Sequence, residues 1–223
     1  MTSGSFDSLD ELRDFIGDCQ RCPLAATRTL LVFGVGRRDA DVLFVGEAPG
    51  RNEDLKGEPF VGAAGKFLDE LLASAQLARS DVYIANILKC RPPGNRDPQP
   101  VEIETCTPFL EEQIRLIDPR VIVTLGRFAT QFVLGTSLGI TQVRGRRYEA
   151  RGRAVLPIFH PAAALYDQTK RDVLVDDFKR LRVLLDRELA DADDEGDGAP
   201  VLGSGRFGSA SVVDDEPEQG TLF

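Results

Sequence analysis

DVLFVGEAPGRNEDLKGEPFVGAAGKFLDELL, residues Asp41 to Leu72, carries a strand pattern, a long loop and a helix pattern in succession. Asp41–Gly46 is an almost unbroken apolar run, the pattern of a strand covered on both faces. A helix is predicted over Ala63–Leu77, with Phe67, Leu68, Leu71, Leu72 and Ala75 on one stripe. Glu47–Gly62, between them, is too long for a simple connection and rich in Gly and Pro, as ligand-binding loops at the carboxyl ends of parallel strands often are.

The same unit recurs along the chain. Asp81–Ile87, Val121–Gly126 and Ala154–His160 read as further strands, and Pro100–Ile117, Arg127–Leu134 and Asp172–Ala190 as helices. In the last helix Val173, Phe178, Leu181, Leu184 and Leu185 form the apolar face. Strands alternating with helices predict right-handed βαβ units and a doubly wound α/β fold on a four-stranded parallel sheet. The 223 residues suit one domain, placed at residues 1–190. Residues 191–223, mostly Asp, Glu, Gly and Ser, read as a disordered acidic tail. No apolar run approaches the roughly 20 residues of a membrane span. The polar, acidic start MTSGSFDSLDELRDF reads as neither a signal nor a transit peptide, so a cytoplasmic monomer is expected.

The net charge of −9 is unevenly spread. From Glu188 onward ten acidic residues face one basic residue, Arg206, so the preceding body is neutral. A neutral body can carry a basic face, so nucleic acid is not excluded.

Three polar residues stand where the predicted strands end: Glu47, Asn86 and His160, the only histidine of the chain. A parallel sheet brings its strand ends to one edge, which makes carboxylate, amide and imidazole a candidate site for acid–base chemistry with polar recognition. Taken singly, Asn86 and His160 also read as backbone caps. The four cysteines form a C-x2-C pair, Cys19 and Cys22, and a second pair, Cys90 and Cys106. In a cytosolic chain thiols stay reduced, which favours a metal site. Spacing alone leaves a [4Fe–4S] cluster and a structural zinc both open.

Four segments, GEAPG (Gly46–Gly50), GEPFVGAAGKFLDELL (Gly57–Leu72), YIANILKCRPPGNRDP (Tyr83–Pro98) and FHPAAAL (Phe159–Leu165), resemble in content and order those of family 4 uracil-DNA glycosylases. The resemblance covers roughly Asp7 to Glu188. It implies a three-layer α/β/α sandwich and a [4Fe–4S] cluster on Cys19, Cys22, Cys90 and Cys106. It also implies removal of uracil from DNA to leave an abasic site, the first step of base excision repair. Phe60 matches the aromatic that stacks on the flipped base, and Asn86 the amide that reads its edge. Gly46, Glu47 and Ala48 match backbone that lines the pocket. His160 matches the donor to uracil O2, and Glu47 is the candidate to activate water.

Some segments depart from that pattern or stand outside it. After His160 the chain runs Ala162, Ala163, Ala164, Leu165, Tyr166, with no hydroxyl or Arg before Tyr166 to grip phosphate, so Leu165 or Tyr166 is the expected wedge into the vacated base stack. Arg91, Arg96, Arg144, Arg146 and Arg147 are candidate phosphate contacts. Phe33–Arg38 (FGVGRR) lacks the third glycine of a dinucleotide turn and precedes the first strand, so it is discounted. The final QGTLF resembles a shortened sliding-clamp-binding peptide anchored by Gln219, Leu222 and Phe223. Two alternatives remain. A relative that binds uracil irreversibly would carry a His in the loop after the second strand, and Cys90–Gln99 has none. A non-catalytic Fe–S redox or regulatory protein would have no need of Glu47, Asn86 and His160.

Overall fold

The computed structural model describes residues 6–194 and 211–212. The four expected parallel strands are present as β2 (Val42–Gly46), β3 (Tyr83–Asn86), β4 (Val121–Leu125) and β6 (Arg153–Ile158). They lie in the order β3-β2-β4-β6, all parallel, with Gly46 in register with Asn86.

Side chains alternate across this sheet into two cores. Leu43, Val45, Ala85, Ile122 and Val155 face one core, with α1 (Leu9–Ile16), α4 (Pro100–Ile117) and α5 (Arg127–Leu134). Val42, Phe44, Ile84, Val123 and Leu156 face the other, with α3 (Ala63–Ser74) and α7 (Gln168–Asp194). Both faces are covered, which gives the three-layer α/β/α sandwich. The predicted α3 stripe is buried throughout; on α7 Leu174 takes the core position expected of Val173.

The sheet itself is larger than four strands. Two-residue β1 (Val35–Gly36) pairs antiparallel with β3 at one edge, and β5 (Tyr148–Ala150) pairs antiparallel with β6 at the other, making six. Ser211–Val212, β7, adds antiparallel to β5. None of the three shows an apolar run in sequence. At β1, Gly36 takes φ +135° and lies so close to β3 that a Cβ would sit 2.0 Å from the Val82 carbonyl oxygen. The β5–β6 hairpin turns on Arg151 and Gly152, both at positive φ, as the tight turn matching strand twist requires.

Three helices are also additional to the expected set. Helix α1 carries Leu9, Leu12 and Ile16 inward and is capped by the Ser8 hydroxyl, which accepts from the Glu11 amide. Helix α2 (Arg51–Lys56) lies within the long loop after β2, and α6 (Ile140–Val143) is a single turn before β5. Helix α7 runs through Asp194, past the boundary expected at residue 190. Among the described residues no helix is long and apolar enough to cross a membrane. Gln219, Leu222 and Phe223 lie outside the described residues.

The loop that leads into α3 depends on one close approach. Phe60 has φ +54°, and its carbonyl packs onto Gly65, where a Cβ would sit 1.7 Å from the oxygen. Replacing Gly65 by Ala must push the Phe60 backbone away from the helix. A melting curve of Gly65→Ala is expected to show a loss of about 1–3 kcal/mol, the usual range for overpacking.

Candidate active site and cysteine pocket

Asn86 is the last residue of β3 and is 2% exposed. Its side-chain oxygen Oδ1 is buried with no hydrogen-bond partner. Native structures rarely leave a buried acceptor unpaired, which makes this atom a candidate to accept a hydrogen bond from a ligand. Oδ1 points at Gly46, lying 2.3 Å from where a Cβ would be, and the Phe60 ring approaches the same point to 2.9 Å. Only glycine leaves room for both.

Phe60 reaches this point through a loop held by polar contacts. The Glu53 carboxylate Oε1 accepts from the amides of Val61 and Gly62, each at 2.9 Å. Arg79 donates to the Pro59 carbonyl while also pairing with Asp69 at 2.8 Å. The Phe60 ring stacks against His160, with centroids 5.4 Å apart and planes 23° from parallel.

His160 stands two residues beyond β6 and caps the 3₁₀ turn Pro161–Leu165. Its Nδ1 accepts from the Ala162 amide at 3.1 Å. Burial pushes the imidazole down to about 4, opposed by the Glu53 carboxylate. A neutral ring whose Nδ1 is an acceptor carries its proton on Nε2, so His160 offers one N–H donor near neutral pH. Gly126, at φ +87°, lets the ring's Cβ come close, since a Cβ there would lie 3.2 Å from it.

Glu47 follows Gly46 at the end of β2 and is half-buried. Burial first, and then the nearby Asp97 carboxylate, raises its carboxyl above the usual range, while Arg127 opposes the rise. Asp97 and Arg127 form an ion pair at 2.8 Å. A raised carboxylate is better matched to taking a proton near neutral pH than an ordinary glutamate. The carbonyls of Gly46 and Glu47 accept from the amides of Ile87 and Leu88, each at 3.0 Å. Glu53, in the same loop as Glu47, is committed to the amides of Val61 and Gly62. Buried Asp54 accepts from the Thr29 amide.

The four cysteines are free thiols around one pocket, lined also by Ile16, Arg28, Lys89 and Phe109. Cys90 and Cys106 are buried, and Cys19 and Cys22 half-buried. Among the described residues no three His, Cys, Asp or Glu side chains converge as they would on a single metal ion. Hydrogen-bond donors point at three of the sulfurs. The Lys89 amide lies 3.3 Å from Cys106, Arg21 3.4 Å from Cys19, and Arg28 3.5 Å from Cys90. Burial pushes the Cys90 thiol up to about 11 and Cys106 to about 12. Donors and cations about thiols of this kind suit an anionic, thiolate-ligated group, whose metal would deprotonate the ligands.

Uracil DNA glycosylase superfamily sequences match residues 33–182. The type-4 uracil-DNA glycosylase of Archaeoglobus fulgidus is 51% identical over 183 residues, 78% of this chain and 92% of its own length. Those of Sulfurisphaera tokodaii and Thermotoga maritima are 46% and 41% identical, over 80% of this chain in both cases and 85% and 97% of their own lengths. The chain belongs to the type-4 uracil-DNA glycosylase family. The match runs from just before β1 into α7, and so includes Gly46, Glu47, Phe60, Asn86, Cys90, Cys106 and His160.

Several expected phosphate contacts are otherwise engaged. Arg96 pairs with the fully buried Glu102, Arg144 with buried Asp177, and Arg147 with Glu188. Arg91 donates to Asn95 at 2.7 Å, whereas Arg146 is exposed. In this family member the Arg-rich loop after β3 thus holds its own shape. The sequence carries no signal for this, because a buried glutamate at the start of α4 reads as a solvated helix cap.

The imidazole also sets a pH dependence of stability. Its ordinary value of 6.5 falls to about 4 on folding, so the unfolded state takes up the proton first as pH drops. Stability from this group is present above pH 6.5 and is lost as pH falls towards 4. Melting temperatures measured across that window are expected to fall more steeply for the parent chain than for His160→Gln.

Proposed function

We propose that the chain hydrolyses the N-glycosidic bond of uracil in DNA, releasing uracil and leaving an abasic site for base excision repair. The buried, unpartnered Oδ1 of Asn86 carries this reading. Uracil presents an N3–H donor that Oδ1 can accept, with O4 available to the amide N–H. Cytosine presents a bare N3, which would leave Oδ1 facing another acceptor. Mispairing a buried amide costs about 1–3 kcal/mol, enough for useful discrimination. A base inside a duplex cannot reach such a site, so it must be flipped out or already single-stranded.

In this mechanism the base stacks on Phe60 against the backbone of Gly46, Glu47 and Ala48. As the C1′–N1 bond breaks, its electron pair passes to the uracil ring and charge collects on O2. The Nε2–H of His160 donates to that oxygen, and a neutral donor does so without giving up its proton. Glu47 orients the water that adds to C1′, accepts its proton, and as an anion stabilises the cationic sugar. Leu165 and Tyr166, the latter 93% exposed just after the His160 turn, fill the gap left in the stack.

Cys19, Cys22, Cys90 and Cys106 are assigned to a [4Fe–4S] cluster. Four free thiols line one pocket with hydrogen-bond donors at three of their sulfurs, which supports a thiolate-ligated cluster there. Such a cluster supplies a cross-link, tying the segment before the 3₁₀ turn Pro23–Ala26 to the loop after β3 and to α4. The same reading has the chain work as a cytoplasmic monomer, with Gln219, Leu222 and Phe223 docking on a sliding clamp; deleting Gln219–Phe223 would then abolish clamp binding.

The test is single-turnover cleavage of a labelled single-stranded oligonucleotide carrying one uracil, with alkali to reveal abasic sites. Asn86→Ala is expected to slow excision by about 5–150-fold. His160→Ala and Glu47→Ala are expected to slow it by about 100-fold or more. No cleavage by the metal-loaded parent protein would overturn the glycosylase reading and favour a redox or regulatory role.

A further inference from the structure

Lys89 is 1% exposed, yet among the described residues it makes no ion pair with a carboxylate. Its Nζ donates to two uncharged acceptors, the Asn86 carbonyl at 2.8 Å and Gln113 Oε1 at 2.5 Å. A buried ammonium held only by neutral groups is costly, and an apolar side chain of similar length would fill the space without that cost. Its contacts indicate what the position gains. The Lys89 amide donates to Cys106 Sγ, and its carbonyl accepts from Val32 at 2.8 Å. Gln113 is itself anchored, through Nε2, to the Phe33 carbonyl at 2.9 Å. One residue thus touches the sulfur of Cys106 through its backbone and the peptide of Asn86 through its side chain. Cys90 and Cys106, which line the same pocket, would be thiolates with a metal bound and so could balance its charge.

We propose that Lys89 is a positioning residue that couples the cysteine pocket to base recognition by fixing the peptide of Asn86. This rests on the reading of Asn86 as the group that binds uracil. A strut of this kind sets how well the amide is aimed at the base, and leaves the groups that break the glycosidic bond in place. Its loss should therefore weaken uracil binding more than the chemical step.

The test uses full-length, metal-loaded protein and the variants Lys89→Met and Gln113→Met, with Asn86→Ala as reference. Five quantities are read for each: KM and kcat on a uracil-containing single strand, inhibition by free uracil, affinity for an abasic-site oligonucleotide, and visible absorbance of the bound metal group. For Lys89→Met the expected result is a rise of about tenfold in both KM and the uracil inhibition constant. The change in kcat should be about threefold or less, with abasic-site affinity and visible absorbance kept. Gln113→Met should show the same pattern at about a third of the size, and it carries the test if Lys89→Met does not fold.

Unchanged KM and uracil inhibition in a folded Lys89 or Gln113 variant would overturn the proposal. So would equal losses for uracil and abasic DNA, or a failure of both variants to melt cooperatively, since Lys89 would then be a core residue without a specific link to Asn86. If Asn86→Ala itself leaves uracil inhibition unchanged, the reading of Asn86 fails; if only that variant weakens it, the coupling through Lys89 fails alone.

Discussion

The candidate site is built around a side chain that is missing. At the end of β2 the space where a Cβ would project from Gly46 is shared by Asn86 Oδ1 and the edge of the Phe60 ring. The two arrive from independent directions. Asn86 is brought there by parallel pairing of β3 with β2, and Phe60 by a loop that Glu53 and Arg79 hold to the body of the protein. His160 then closes the group by stacking on Phe60. Gly46, Asn86, Phe60 and His160 therefore form one contact chain, which a methyl group at its centre would force apart.

The electrostatics of this chain are those of a neutral recognition surface. The amide and imidazole carry no net charge near neutral pH; Asn86 is buried, so its dipole acts with little screening, and His160 is half-buried against Phe60. The ring is fixed as an Nε2–H donor by a backbone amide, so its orientation does not depend on the substrate. Charge is kept to the flank, where Glu47 lies under the opposing influence of Asp97 and Arg127. In the proposed mechanism neutral groups read the base, and the carboxylate at the strand end handles water and sugar.

Much of this is legible in the sequence because it depends on patterns of period two and 3.6. The four parallel strands, the α3 stripe and helices α4 and α5 follow from apolar runs and faces, and α4 and α5 keep their predicted bounds. Strand ends are legible too, and they group Glu47, Asn86 and His160 from the order of residues alone. The edge strands are not, because β1 and the β5–β6 turn rely on positive φ at Gly36, Arg151 and Gly152, which leaves no apolar signature. Helix α1 is masked by its acidic segment despite its serine cap. The commitment of Arg96, Arg144 and Arg147 to ion pairs, and of Glu53 to loop amides, depends on tertiary contacts between distant residues, which composition cannot show. Lys89 is in sequence one more lysine beside a cysteine, whereas the fold places it between the two sites.

In the proposed mechanism excision depends on Asn86 and Phe60 closing over a glycine. Gly46→Ala tests it most directly, since its Cβ meets the ends of two side chains, which can yield without unfolding the sheet. The measurement is the single-turnover rate of uracil excision alongside a melting curve. A variant that still melts cooperatively but excises uracil about 100-fold more slowly is the predicted result, because small displacements at a reacting site cost factors of this order. A folded variant within about threefold of the parent rate would contradict the account, because the slot would then not depend on the space above Gly46.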